Sequence, residues 1–387
     1  MMKYDFDKPT QRRGTSSYKW DEAEDPDVIP VWVADMDFET APCIVEALKK
    51  RVEHGIFGYT FVPDSYYEAV VRWFATRHAW HIDRSWIEYT SGVVPALSAT
   101  IKALTAPGDK VLVQTPVYNC FFSSIRNNGC EIVENPLQRT GDTYAVDFDD
   151  MDGKLADPAV KLFVLCNPHN PAGRVWTSGE LRRMNDLCRR HGVRVVSDEI
   201  HCELTMPGYT YTPFASVSKE CLDNSITLCS PSKSFNTAGL QIANIICNDP
   251  STRQLINRAI NINEVCDVNP FGVAALQAAY NEGADWLDAL RQYLYDNYLA
   301  LKEFFACRLP QWQVTRLEGT YLVWVDISST GMSSDEIATV LLRDAKVMVN
   351  SGTMYGRTAG EGFIRINIAC QRARLMEALE RIGKYFE

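Results

Sequence analysis

One lysine in this sequence stands where a lysine is unusual. Lys233, in "SPSKSFN", lies a few residues beyond the apolar run Ser225–Cys229. If that run is a buried strand, Lys233 sits near a strand end, where burial disfavours the ammonium form. On a solvated loop such a lysine would be ordinary. With a depressed pKa it is the nucleophile that Schiff-base chemistry needs. Other chemically able residues sit just past apolar runs. "KLFVL" is followed by Asn167, Asn170, Gly173 and Arg174, "VRVVS" by Asp198, Glu199 and His201, and "KVLVQ" by Thr115 and Tyr118. Ser230 and Ser232 come just before the lysine itself.

The elements that must carry these residues are legible as an α/β pattern. "KVLVQ", "KLFVL", "VRVVS", "SITLCS" and "QIANIIC" read as short buried strands. Between two of them, "TSGELRRMNDLCRRHG" reads as a helix. Thr177 and Glu180 form a capping box, Leu181, Met184, Leu187 and Cys188 share a face, and Gly192 sits at the stop. Strand, helix and strand within so short a span make a βαβ unit and imply a parallel sheet. In such sheets ligands bind at the carboxyl ends of the strands, so the residues above should converge on one edge.

The first 40 residues are irregular and read as an arm that wraps something. From Trp286 the texture changes to a long helix, a strand in "TYLVWVDI", the alternating "FIRINIA" and a closing helix. In "FIRINIA", Ile364, Ile366 and Ile368 should face one way, Arg365 and Asn367 the other. The expected division is an arm over 1–41, a large domain over 42–285 and a small α+β domain over 286–387.

Bulk composition excludes several functions. The 387 residues are 46% hydrophobic with net charge −10 and no dense basic run, which argues against nucleic acid as a partner. No stretch has the length of a membrane span, and the N-terminus lacks a secretory apolar core. The 12 cysteines are scattered without a C-x-x-C pair, as expected for reduced thiols in a cytoplasmic protein without a cysteine metal site. His54, His78, His81 and His191 lack ligand spacing and read as structural.

A lysine nucleophile beside an aspartate suggests an aldehyde cofactor. Pyridoxal 5′-phosphate (PLP) needs an anion for its ring nitrogen, donors for its phenolate oxygen, a flat group over the ring and a phosphate cup. Asp198, Asn170, Tyr118 and the serines are groups of these kinds. The cup has a second candidate in "YTSGVVPALSATIKAL", where Gly92 precedes a helical pattern whose first N–H groups and dipole favour an anion.

Taken together, "NPHNPAGRVW", "VVSDEIH" and "SPSKSFNTAGLQ", in this order, resemble the fold-type-I PLP enzymes of aminotransferase class I and II. "VWVADMDFETAP" and "FIRINIA" make the resemblance closest to the MalY/PatB-type cystathionine β-lyases. It covers nearly the whole chain. It implies a large domain with a mainly parallel seven-stranded sheet between helices, and a smaller α+β C-terminal domain. It implies that Lys233 bonds the cofactor, Asp198 pairs with its ring nitrogen, Asn170 donates to its phenolate oxygen and Tyr118 stacks on its ring. Ser230 and Ser232, with Gly92 and the amides of Val93 and Val94, would hold the phosphate. Tyr59 resembles a tyrosine that reaches the cofactor of a neighbouring subunit, which implies a homodimer. Arg365 would grip the substrate α-carboxylate. Two positions depart from the wider family: His201 stands where a tyrosine is common, and Gln241 where an arginine often holds phosphate. His201 is still expected beside the cofactor.

The implied reaction is β-elimination of L-cystathionine or related cysteine S-conjugates to pyruvate, ammonia and a thiol. Lys233, or Tyr118, could protonate the departing sulfur. An aminotransferase is a rival, because both reactions share the same carbanion, and a regulatory partner built on the same fold is another. The physiological substrate is not legible in the sequence.

Overall fold

The structure, a computed structural model, describes residues 4–262 and 267–386. Seven strands form the principal sheet: β1 (Ile87–Thr90), β2 (Lys110–Val113), β3 (Glu131–Glu134), β4 (Val160–Cys166), β5 (Arg194–Asp198), β6 (Ser225–Cys229) and β7 (Ala243–Ile246). Their spatial order is β1-β7-β6-β5-β4-β2-β3. β7 runs antiparallel to both its neighbours, and the strands from β6 to β3 pair in parallel.

Strands covered on both faces must be apolar on both, which explains the unbroken runs in the sequence. Successive residues of β4 prove the point. Phe163 and Leu165 enter one core with Trp176, Leu181 and Met184, while Leu162 and Val164 enter another with Val111, Val113 and Ile226. The helix Ser178–Arg190 starts at the expected capping box, Thr177 with Glu180, and buries Leu181, Met184, Leu187 and Cys188. Gly192 follows at φ +70°, a conformation costly for other residues.

A second sheet is antiparallel throughout. Its order is Gln313–Val314, Leu322–Asp326, Phe363–Asn367 and Asn350–Ser351. Ile364, Ile366 and Ile368 enter the largest core together with the long helix Ala284–Arg308 and the last helix, Arg372–Phe386. The opposite face, carrying Arg365 and Asn367, is buried as well, because the N-terminal arm lies over it. Ile29–Pro30 pairs in parallel with Val347–Met348, and the main chain of Val31 and Asp37 continues the contact to Asn367 and Ala369.

Among the described residues no helix is long and apolar enough to cross a membrane. Their eleven cysteines are all free.

Candidate active site

The carboxyl ends of β4, β5 and β6 open on a cavity of about 200 Å³. Each strand delivers one residue to it: Asn170 after β4, Asp198 closing β5, and Lys233 after β6. His201, on the turn after β5, and Tyr118, after β2, also line it. The remaining wall is Gly92, Val93 and Val94, where β1 turns into the helix Val93–Leu104. No side chain caps that helix start, so its first N–H groups remain available to an anion.

Lys233 is half-buried, and its Nζ donates to the Ala34 carbonyl of the N-terminal arm at 2.6 Å. Burial, then the nearby Arg365 charge, lowers its pKa to about 8, while Asp35 and Asp198 oppose the shift. Burial also pushes Asp198 up to about 7, against the Ile200 N–H that hydrogen-bonds its carboxylate at 3.1 Å. A buried carboxylate in this state is stabilised by any cation that reaches it. Tyr118 is held in its protonated form, chiefly by burial.

Arg365 lies immediately beside the cavity and is almost wholly buried. Its Nη1 donates to Asn170 Oδ1 at 3.2 Å, and its Nη2 donates to the Trp32 carbonyl at 2.8 Å and to Asn350 Oδ1 at 2.9 Å. Its guanidinium stands 4.8 Å over the Tyr355 ring. The Nε remains buried without a partner. The bond to Asn170 fixes that amide: with Oδ1 engaged by Arg365, the NH2 is left to donate into the cavity.

Ser232 lines the cavity and Ser230 braces it from behind. The Ser230 hydroxyl donates to the Ile242 carbonyl at 2.7 Å and accepts from the Ser232 N–H at 3.1 Å. Tyr59 does not line this cavity within the chain and is 99% exposed. His201 is buried with its Nδ1 unpartnered, and burial drives it strongly toward the neutral form. Gln241 is part of the lining, so that position offers an amide in place of a cation.

Sequence reasoning missed several residues. Ser91, Cys166 and Ile200 also line the wall, and the Tyr321 hydroxyl donates to Ala34 O at 2.9 Å. Asn236, three residues past Lys233, binds the arm through the Met36 and Phe38 carbonyls, both at 3.0 Å. The "SKSFN" spacing was the available signal for Asn236.

The turn "NPHNPAGRVW" is braced from outside the cavity. Gly173 has φ +68°, and a Cβ there would meet Leu317 Cδ1 at 3.1 Å and the Arg316 carbonyl at 3.3 Å. Arg174 is buried against Glu318 at 3.0 Å and stacks over Trp176. Trp176 donates to the Cys166 carbonyl at 2.9 Å, and the His169 ring packs edge-on against it. Burial lowers the His169 pKa to about 3, so it stays neutral as a spacer. The acid next to Asp198 is a second brace: Glu199 accepts from Ser197 Oγ at 2.8 Å, from the Phe214 N–H at 2.9 Å and from Tyr211. His78 pairs with Glu203 at 2.6 Å, where Arg77 also binds, so a cation already occupies that cluster.

The family model for aminotransferase class I and II matches residues 26–382. Cystathionine β-lyase PatB of Bacillus subtilis (strain 168) is 44% identical over 381 residues, covering 97% of this chain and 98% of that protein. Protein MalY of Escherichia coli (strain K12) is 36% identical over 96% of each chain. The PLP-bound C-S lyase from Staphylococcus hominis superposes with a TM-score of 0.91 at 35% identity, over 98% of each chain. The strand order, the lysine and aspartate at adjacent strand ends and these full-length similarities agree: the chain belongs to the aminotransferase class I and II family, in its MalY/PatB-type cystathionine β-lyase branch.

Proposed function

We propose that this protein is a PLP-dependent carbon–sulfur β-lyase that converts L-cystathionine, or a related cysteine S-conjugate, to pyruvate, ammonia and a thiol. The observation that carries the reading is the Arg365–Asn170 bond beside Lys233. It joins a group suited to an amino-acid carboxylate to a group suited to the cofactor's ring oxygen, within reach of one amine.

The cavity's free groups fit PLP. The Asn170 Oδ1 is taken by Arg365, which leaves its NH2 to donate, the helix start at Val93 and Val94 is uncapped, and the His201 Nδ1 is buried without a partner. Asp198 would hold the ring nitrogen, Tyr118 would stack on the ring, and Gly92, Val93, Val94 and Ser232 would take the phosphate. Ser230 would keep Ser232 in place. When bound, PLP supplies an electron sink for the pair left on the substrate α-carbon after its proton is removed.

The rest is done by this chain. Arg365 would hold the α-carboxylate and so orient the α-hydrogen toward Lys233. With its pKa lowered to about 8, roughly a fifth of the Lys233 amine is neutral close to physiological pH, and that form can take the proton. Tyr118, held protonated, or the newly charged Lys233, would donate to the departing sulfur. The three-carbon enamine left behind hydrolyses to pyruvate and ammonia.

Tyr59 is proposed to act on the cavity of a second copy. Its full exposure, next to exposed Ile56, Phe57 and Phe61, supports a homodimer. A cytoplasmic enzyme agrees with the free cysteines.

Incubation with cystathionine, PLP and no keto acid tests the reading. Pyruvate and free thiol should appear in equal amounts through many turnovers. Turnover that requires a keto acid, with no thiol released, would instead make the protein an aminotransferase.

A further inference from the structure

Lys233 must change partners in every turnover, so its amine needs a defined place when it bonds nothing. The structure supplies one acceptor. Among the described residues, the hydrogen bond of Lys233 Nζ goes to Ala34 O at 2.6 Å, and the same oxygen accepts from the Tyr321 hydroxyl at 2.9 Å. Tyr321 is fully buried at the start of the strand Leu322–Asp326, with its ring edge-on to His201. The neighbouring carbonyls of the arm are held by other side chains. Arg365 takes that of Trp32, Asn367 takes those of Val33 and Asp35 at 2.6 and 2.7 Å, and Asn236 with Arg12 takes that of Met36. Ala34 O is therefore presented to the lysine by a segment fixed on both sides.

We propose that Tyr321 is a positioning residue for Lys233: its hydroxyl fixes the Ala34 carbonyl, and that carbonyl seats the lysine amine whenever the amine carries no covalent bond. The inference rests on Lys233 being the cofactor lysine. A carbonyl accepts from an ammonium and from a neutral amine alike, so the seat serves the nitrogen before and after it takes a proton. Tyr321 also acts electrically. Its O–H points its positive end at the oxygen the lysine uses, which weakens that oxygen's hold on the charged form. The other charged and titratable groups acting on Lys233 are Arg365 from the second sheet, Asp35 from the arm, Asp198 from β5, and Cys120 from the helix Asn119–Asn127. His201 faces it across the cavity.

The test is cofactor capture by the full-length chain stripped of PLP. The amine condenses with the PLP aldehyde and releases one water, and the absorbance gained reports the rate at each pH. Capture requires the neutral amine, so the rate rises with pH through the lysine ionisation. Tyr321→Phe should move that midpoint upward by about half a unit, slowing capture at neutral pH about threefold. Replacing Tyr321 by 3-fluorotyrosine keeps the packing and strengthens the donor, and should move the midpoint downward. Lost packing alone would reduce the amount of competent protein and leave both midpoints in place. Unmoved midpoints, or a downward move in Tyr321→Phe, would overturn this inference alone. Failure of the unsubstituted chain to capture PLP would overturn the proposed function and this inference with it.

Discussion

Lys233 and Asp198 are poised in opposite senses, and each makes a prediction. Lys233→Ala should remove covalent cofactor capture and lower turnover by at least about a thousandfold, since the variant keeps the pocket but lacks nucleophile and base. An absorbance assay and a pyruvate assay check both halves. Asp198 is held above its unfolded pKa by burial, so ionising it opposes folding. Its contribution to stability is present at acid pH and is lost as pH rises through about 7. In cofactor-free protein, Asp198→Asn should therefore melt at a higher temperature than the unsubstituted chain at pH 8. The gap should grow between pH 5 and 7 and then stay level. With cofactor present the same variant should lose roughly a hundredfold or more in turnover, because the ring nitrogen loses its counter-charge. Thermal scans over a pH series, paired with rates, separate the two effects.

At the level of elements, the turn after β4 shows how a loop becomes precise. Gly173 is pinned by its backbone, since its carbonyl accepts from the N–H groups of Glu318 and Gly319. Gly173→Ala would force an unfavourable φ and crowd Leu317, costing on the order of 1–3 kcal/mol. Denaturant titration should register that loss, and turnover should fall with it because Asn170 shares the turn. The sequence announced this turn, and the helix Ser178–Arg190 after it, because prolines, glycine and a capping box are local signals. The five inner strands were equally legible, since burial on both faces demands unbroken apolar runs, whereas the edge strands Ile87–Thr90 and Glu131–Glu134 are only partly buried and lack that signal. The arm was not legible. Its anchors are backbone carbonyls at 32 to 36, which every residue possesses, and apart from Arg12 the side chains named above that grip them lie some 200 to 330 positions away. Tyr321 and Asn236 escaped notice for the same reason, and Asn367 was placed on its face without its partners. Asn170 was legible as a residue, but the direction of its amide depends on Arg365 and emerges only in three dimensions.

For the whole molecule, the stretch from Ile56 to Phe61 gathers four exposed large hydrophobic side chains, Ile56, Phe57, Tyr59 and Phe61. A symmetric dimer would cover it and carry Tyr59 to a partner's cavity. Sedimentation at micromolar concentration should give twice the 43.7 kDa chain mass. Replacing Phe57 and Phe61 together by aspartate should shift the protein toward monomer and lower turnover at least about tenfold, because each cavity would lose its borrowed tyrosine as well as its cover.

The grip of Asn367 on Val33 and Asp35 has a consequence in time. These contacts span 334 and 332 positions, almost the length of the chain. Loop closure over that distance is slow compared with forming a βαβ unit, and during synthesis Asn367 emerges long after the arm it must hold. The large sheet can assemble while the lysine's seat is still missing. The Ala34 carbonyl is held from both sides only once Asn367 has taken Val33 and Asp35, so in a nascent chain Lys233 can be in place before its hydrogen-bond acceptor is fixed.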